Sequence, residues 1–249
     1  MATPTLDEIN HRVRILEFWN SWSWSFVKTG GILILFSHLW ALNAPLAEAS
    51  MGETGRILYV HVPTAWIAMV IYVWAFWCAC AVLWTGKRSW DHTQEGCLEV
   101  GVVLNIMLLF QGSIWAKPTW GTYWTWDPRL TSSAVMAISF AGILVLRRMM
   151  HNPEKRIRAS AVATIIAFMN VPIVYFCVNL LPSIHQMQSS PQTVDTAMHW
   201  PLRGAAFGFL FLGIGLVGMR ARSAARRMES EDERPDFPPI PETLNLEEQ

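Results

Sequence analysis

Charged side chains are scarce in this chain: Asp, Glu, Lys and Arg make up 15% of its 249 residues, against about 25% in an ordinary soluble domain. Lipid is therefore the expected main solvent. Six apolar stretches, each 16 or more residues long, carry no charge at all: 29–47, 57–86, 100–116, 130–146, 159–194 and 204–219. These lengths approach the ~20 residues that cross a bilayer core as a helix. The sequence predicts an all-α polytopic membrane protein with six transmembrane helices.

Several motifs are also missing. The absence of CxxCH excludes a c-type cytochrome, and the absence of GxxxxGK[ST] means that any ATP hydrolysis must come from a partner. The chain has four cysteines, and Cys78 and Cys80 are two apart, so they point to different faces of a helix. They are better interpreted as buried apolar thiols than as a ligand pair. Alternating hydrophobicity is absent from 67–83, which disfavours a membrane barrel.

Lys and Arg are unevenly distributed among the predicted loops, and this bias sets the orientation in the membrane. The amino-terminal segment, the loops after the second and fourth spans and the tail together hold 15 of the 19, and the other three loops hold 4. Both termini are predicted to be cytoplasmic, with 117–130 on the outer face. Residues 1–228 are expected to form one transmembrane domain. The acidic tail 229–249, with four prolines, is predicted to be disordered because it cannot bury enough apolar surface.

The outward loop is rich in tryptophan. It contains the run WGTYWTWDPRLT, residues 120–131, and with Trp115 it places four tryptophans within twelve residues. Interfacial tryptophans often form an aromatic belt, but belt residues are scattered among spans, whereas these are concentrated between the third and fourth. Indole has an N–H donor and no lone pair for a metal, so the loop cannot ligate iron. The flat faces of the indole rings are suited to contact with a planar macrocycle.

The run resembles the WWD signature of a membrane family that handles haem for cytochrome c maturation, which it matches as WGxxWxWDxRLT. In length, span count and position of the motif, the chain is similar to the haem exporter C members of that family. The resemblance implies a haem platform in the segment 115–131, formed by Trp115, Trp120, Tyr123, Trp124 and Trp126. Members commonly carry Trp where Tyr123 stands, and Tyr keeps the aromatic face.

Charged residues near this loop have alternative roles. The resemblance implies that Asp127 is also part of the haem site, whereas Asp127 followed by Pro128 is typical of the N-cap and first residue of the fourth span, and the family motif is compatible with that. Arg129 could bind a haem propionate through a bidentate pair, pair with Asp127, or anchor at the headgroups. Arg56 is a candidate for a second propionate, with headgroup anchoring as its alternative.

The predicted topology places the seven histidines at different depths and on different sides of the membrane. His61 opens the second span and His185 closes the fifth, so both are predicted at the depth of the tryptophan loop. A histidine near a span end is commonly just interfacial, but two neutral imidazoles on opposite faces of a porphyrin are a standard way to hold iron. The resemblance implies the same two residues as axial ligands of the haem iron. His199 is the substitute candidate.

The resemblance further implies that the chain binds haem b at the periplasmic face of a bacterial inner membrane. It implies transfer to a periplasmic haem chaperone (CcmE-like), beside ABC exporter subunits (CcmA/CcmB-like) and a small single-span subunit (CcmD-like). Membrane lipid is an expected contact, a nucleic-acid partner is not, and no enzymatic role is expected. The alternatives are a cytochrome b-like electron-transfer subunit, which would place histidine pairs inside helices, and a transporter, for which Asn105, Asn170 and Pro172 are the only hints.

Overall fold

The protein is described by a computed structural model covering residues 6–44, 52–185 and 196–232, with side chains described from residue 21 except at 197, 231 and 232. The predicted disordered tail lies almost entirely outside these residues. Helices account for nearly all of the described chain, together with 3₁₀ turns at Gly52–Ile57 and Thr196–Met198. They are α1 (Leu6–Ala41), α2 (Leu58–Thr85), α3 (Arg88–Trp120), α4 (Pro128–Met149), α5 (Pro153–Phe168), α6 (Asn170–Leu180) and α7 (His199–Asp232). The all-α prediction is confirmed.

Five segments of the described chain are long and apolar enough to cross a membrane: Gly52–Thr85, Arg88–Trp120, Pro128–Met149, Pro153–Leu180 and His199–Ser230. They correspond to the second to sixth predicted spans, so the chain is a multi-pass membrane protein. The first predicted span falls on α1, which runs unbroken through the preceding polar segment. The count of six spans stays a prediction.

The fifth predicted span, 159–194, is shorter in the structure. It consists of α5 and α6, which meet at Met169, and α6 ends at Leu180. Leu181 is extended, with φ −129° and ψ 148°, because the residue before a proline is disfavoured in helical geometry. His185 therefore lies in a segment beyond the helix, and the expectation that it closes the span is wrong.

Helix α7 packs along α1 through small residues. A Cβ on Gly30 would lie 2.5 Å from the backbone nitrogen of Leu212, and one on Gly208 would lie 2.9 Å from that of Ile34. Glycine at both positions lets the two backbones approach closely, which is how membrane helices gain van der Waals contact without a hydrophobic driving force.

Elsewhere in the core, Tyr72 stacks on Phe140 with ring centroids 3.8 Å apart.

A buried ion pair joins the helices at the predicted cytoplasmic end. The guanidinium of Arg147 on α4 donates to both carboxylate oxygens of Asp91 on α3, at 2.7 and 2.9 Å. It also donates to Glu95 at 2.7 Å and to the hydroxyl of Ser160 on α5 at 2.9 Å. The side chains of Arg147 and Asp91 are 4% and 0% exposed. Three helices are therefore held together by one cation whose charge is matched within the bundle.

Replacement of Asp91 by Ala is expected to lower the free energy of unfolding by roughly 3–5 kcal/mol, since it removes one partner of a buried pair. The measurement is denaturant unfolding of the detergent-solubilised protein. Glu99→Ala is the matched control, because it breaks the pair with Arg220, whose side chain is 46% exposed, and such pairs contribute about 0–1 kcal/mol. Equal losses in the two variants would contradict a special role for the buried pair.

Candidate functional site

A cavity lies at the end of the bundle that carries the tryptophan loop. Four helices and two connecting segments line it, and most of the lining is apolar. The polar and aromatic residues that bear on its chemistry are His61 and Trp66 of α2, Ser113 and Trp115 of α3, Trp124 of the loop, Arg129 and Ser133 of α4, Tyr175 of α6, and His185. The two histidines singled out from the sequence therefore face one space.

His61 lies in the first turn of α2 and is half-buried. Its ring packs against Gly112 of α3, where an added Cβ would come within 3.2 Å of Cε1 of the imidazole. Glycine at this position leaves the ring just enough room. Nδ1 of His61 is buried and makes no hydrogen bond to the described residues.

His185 reaches the same cavity from the segment after α6. Its ring centroid is 5.1 Å from that of Trp120 and 6.4 Å from that of Trp115, with edge-on or tilted geometry. Burial lowers the pKa of His185 to about 4 although the nearby carboxylate of Asp127 opposes this shift. The imidazole is therefore neutral at pH 7, with a lone pair available for a metal.

Asp127 caps α4, as the sequence predicts: its Oδ1 accepts the backbone N–H of Arg129 at 2.9 Å. Its Oδ2 accepts two further bonds from the segment after α6, the hydroxyl of Ser183 at 2.7 Å and the N–H of Ile184 at 2.9 Å. Burial raises the pKa of Asp127, but these hydrogen bonds outweigh it and hold the pKa below its usual value. The residue is an anion at neutral pH.

Four of the five aromatic residues expected to form the haem platform divide into two groups, and the fifth, Trp120 at the end of α3, meets Trp115 and His185 edge-on. Trp115 is buried and Trp124 is half-buried, and both line the cavity. Trp126 meets Trp124 edge-on at 6.0 Å but is 83% exposed. Tyr123 is 60% exposed, with the ammonium of Lys117 5.3 Å from its ring. The inner group can contact a ligand in the cavity, and the outer group forms the surface beside it.

The two candidate arginines also differ in position. Arg129 lines the cavity, and its guanidinium makes no hydrogen bond or ion pair within the described part of the chain. Pairing with Asp127 is not observed, because that carboxylate binds the backbone of Arg129 instead. The guanidinium of Arg56 donates to the carbonyls of Ala41 and Ala44, at 2.6 and 2.9 Å, and to Glu53. The structure does not bring Arg56 into the cavity.

Sequence reasoning missed several residues of this site. Gly112, Trp66, Met69 and Tyr175 lie inside charge-free stretches and carry no local signal that separates them from other apolar residues. Ser183 lies two residues before His185 and could have been singled out as a polar residue beside a candidate ligand. Its role depends on Asp127, which is 56 residues away in the chain.

Comparison with known proteins identifies the family. The family model described as heme exporter protein C (CcmC) matches residues 5–235. The chain belongs to the heme exporter protein C family. This confirms the resemblance drawn from the tryptophan motif, and it assigns the chain a role in haem handling for cytochrome c biogenesis.

Curated relatives agree with this assignment. The heme exporter protein C of Escherichia coli strain K12 is 32% identical over 80% of this chain and 81% of its own length. That of Bradyrhizobium diazoefficiens is 32% identical over 74% of this chain and 72% of its own. A Marchantia polymorpha protein named "Putative cytochrome c biosynthesis ccmC-like mitochondrial protein" is 30% identical over 67% and 69%.

Because Gly112 leaves His61 so little room, Gly112→Ala is expected to displace the imidazole and to reduce haem retention. An off-rotamer shift costs about 0.5–1.5 kcal/mol, or roughly two- to tenfold in affinity. Haem content per purified chain, from absorption spectra, is the measurement. Gly142→Ala on α4 is the control, since an added Cβ there meets nothing within 4 Å. Equal retention in the two variants would contradict the importance of the contact between this face of α3 and the imidazole of His61.

Proposed function

We propose that the chain holds haem in this cavity at the periplasmic face of the inner membrane, with His61 and His185 as axial ligands of the iron, and transfers it to a periplasmic haem chaperone. The observation that carries the proposal is the meeting of these two imidazoles. One comes from the start of α2 and the other from the segment after α6, and both line one cavity. Two neutral imidazoles are a standard ligand set for six-coordinate haem.

The donor set of the cavity fits haem in other respects. Nδ1 of His61 and Nε1 of Trp115 are buried polar atoms without an aligned hydrogen-bond partner in the described chain. Such groups are costly and are concentrated where a ligand or water completes the site. The apolar lining supports burial of a porphyrin, and the indole of Trp124 supplies a flat, polarisable face against it.

Arg129 supports the orientation of the cargo. A guanidinium in a largely apolar cavity, with no hydrogen bond or ion pair to the described residues, is well matched by a carboxylate, which it can bind through two parallel hydrogen bonds. Haem carries two propionates, and one of them pairs with Arg129 in our proposal. Haem would then be oriented with its carboxylate edge towards the start of α4.

Release to a chaperone is supported by the outer surface of the loop. Trp126 and Tyr123 are exposed beside the cavity, so a soluble acceptor can approach the haem without entering the bundle. Energy from ATP would come from separate ABC exporter subunits (CcmA/CcmB-like), with a small single-span subunit (CcmD-like) alongside, because this sequence has no phosphate-binding loop.

Removal of either axial ligand tests the site directly. His61→Ala and His185→Ala are each expected to abolish the low-spin spectrum of bis-histidine haem, since the iron becomes five-coordinate or binds water. Absorption spectra of the purified variants in both oxidation states provide the measurement. His151→Ala, at an exposed position in the loop between α4 and α5, is the control and should keep the spectrum. Retention of an unchanged spectrum in both cavity variants would show that the ligand assignment is wrong.

The side of the membrane is tested by cysteine labelling. The Lys and Arg distribution predicts that Tyr123→Cys, at a 60% exposed position, reacts with a membrane-impermeant thiol reagent added to intact spheroplasts. His151→Cys should react only after the membrane is opened. Both are made in a background lacking the four native cysteines. Labelling of Tyr123→Cys only in opened cells would place the site in the cytoplasm and exclude delivery to a periplasmic acceptor.

A further inference from the structure

Asp127 makes more contacts than a helix cap requires. Capping α4 uses one oxygen, which accepts the N–H of Arg129. The other oxygen accepts bonds from the hydroxyl of Ser183 and the N–H of Ile184. In addition, Nδ1 of His185 lies 3.4 Å from Oδ1. A buried carboxylate at the start of α4 thus holds three consecutive residues of the segment after α6.

The contact with His185 is nearly, but not fully, a hydrogen bond. Its length of 3.4 Å exceeds the usual 2.7–3.2 Å, and Nδ1 has no aligned acceptor among the described residues. Completing the bond requires the imidazole to turn its N–H towards the carboxylate as well as to move slightly closer. Histidines that bind metals almost always donate their other ring N–H to a carboxylate, carbonyl or water, which fixes the tautomer and makes the ligating nitrogen more basic.

We propose that Asp127 is a positioning residue that accepts a hydrogen bond from Nδ1 of His185 when the haem iron binds Nε2. The proposal rests on ligation by His185 as proposed above. It differs from a role in contacting haem, because all the described contacts of the carboxylate point to the backbone and side chains of 129 and 183–185.

The two proposed axial ligands then differ in how strongly they donate electrons to the iron. His185 is backed by a carboxylate that is 7% exposed, whereas Nδ1 of His61 is buried with no acceptor among the described residues. The carboxylate-backed imidazole is the stronger electron donor. His185 is therefore the ligand that stays on the iron, and His61 is the one that is exchanged most readily when haem leaves. Such inequality suits a protein that must both hold and release its cargo.

Asp127→Asn and Asp127→Ser separate this role from capping, because Asn and Ser are both good N-caps. Titration of the haem-free, detergent-solubilised protein with haemin should show roughly 10–100-fold weaker binding for Asp127→Ser, and a smaller loss for Asp127→Asn, whose amide oxygen can still accept a hydrogen bond. The reduction potential of the bound haem should rise in the same order, since a less basic imidazole stabilises the ferric iron less. The low-spin spectrum should persist.

The control is Asn152→Ala, which removes the cap of α5, where Oδ1 of Asn152 accepts the N–H of Lys155 at 3.0 Å. Loss of a cap costs about 1 kcal/mol of stability but should leave the haem potential unchanged. Wild-type haemin affinity and potential in both Asp127 variants would overturn the positioning role while leaving the ligand assignment intact. A low-spin spectrum that survives His185→Ala would instead overturn the ligation itself.

A spectroscopic measurement reports the hydrogen bond directly. In a His61→Ala background, ferrous haem has His185 as its remaining proposed axial ligand, and its iron–nitrogen stretching frequency can be measured by resonance Raman. A carboxylate partner on Nδ1 strengthens that bond, so adding Asp127→Ser should lower the frequency, and adding Asn152→Ala should not. An unchanged frequency in the Asp127→Ser double variant would show that no hydrogen bond reaches His185.

Discussion

Inside a bilayer there is no water to satisfy a polar group, and this constraint governs the whole structure. Backbone groups are satisfied within long helices. The buried cation of Arg147 is matched by Asp91 and Glu95 on the neighbouring helix. Against this background, polar atoms without an aligned partner in the described chain are conspicuous, and His61 and Trp115 bring two of them to the same cavity. A site that is incomplete by itself is what a cargo-binding protein requires.

The site combines fixed and movable parts. His61 and Trp115 belong to helices of the bundle, so packing sets their positions. His185 belongs to a non-helical segment that the carboxylate of Asp127 holds through Ser183 and Ile184. Local opening is easier for a segment held by a few hydrogen bonds than for a packed helix. The arrangement therefore offers a rigid wall on one side of the cavity and an adjustable one on the other, beside the exposed face of the tryptophan loop.

Prediction from the sequence succeeded where a residue's environment follows from its neighbours in the chain. Charge-free stretches located the helices, and Asp127 before Pro128 located the cap of α4. It gave no information where a polar side chain finds a partner far along the chain. Arg56 was one candidate for a haem propionate, and in the structure its guanidinium donates to the carbonyls of Ala41 and Ala44 at the end of α1. The end of the fifth span was placed too late because absence of charge does not show where Pro182 ends a helix.

The sequence by itself determined that the chain lies in lipid, where its helices are, which family it resembles and that His61 and His185 are candidate ligands. Each of these depends on composition, periodicity or a short motif. Only the tertiary structure decided that His61 and His185 line one cavity, that Gly112 makes room for the first, and that Asp127 and Ser183 hold the second. These facts depend on how α2, α3, α4 and α6 pack together. Contacts between residues more than 50 positions apart are set by that packing and leave no local pattern in the chain.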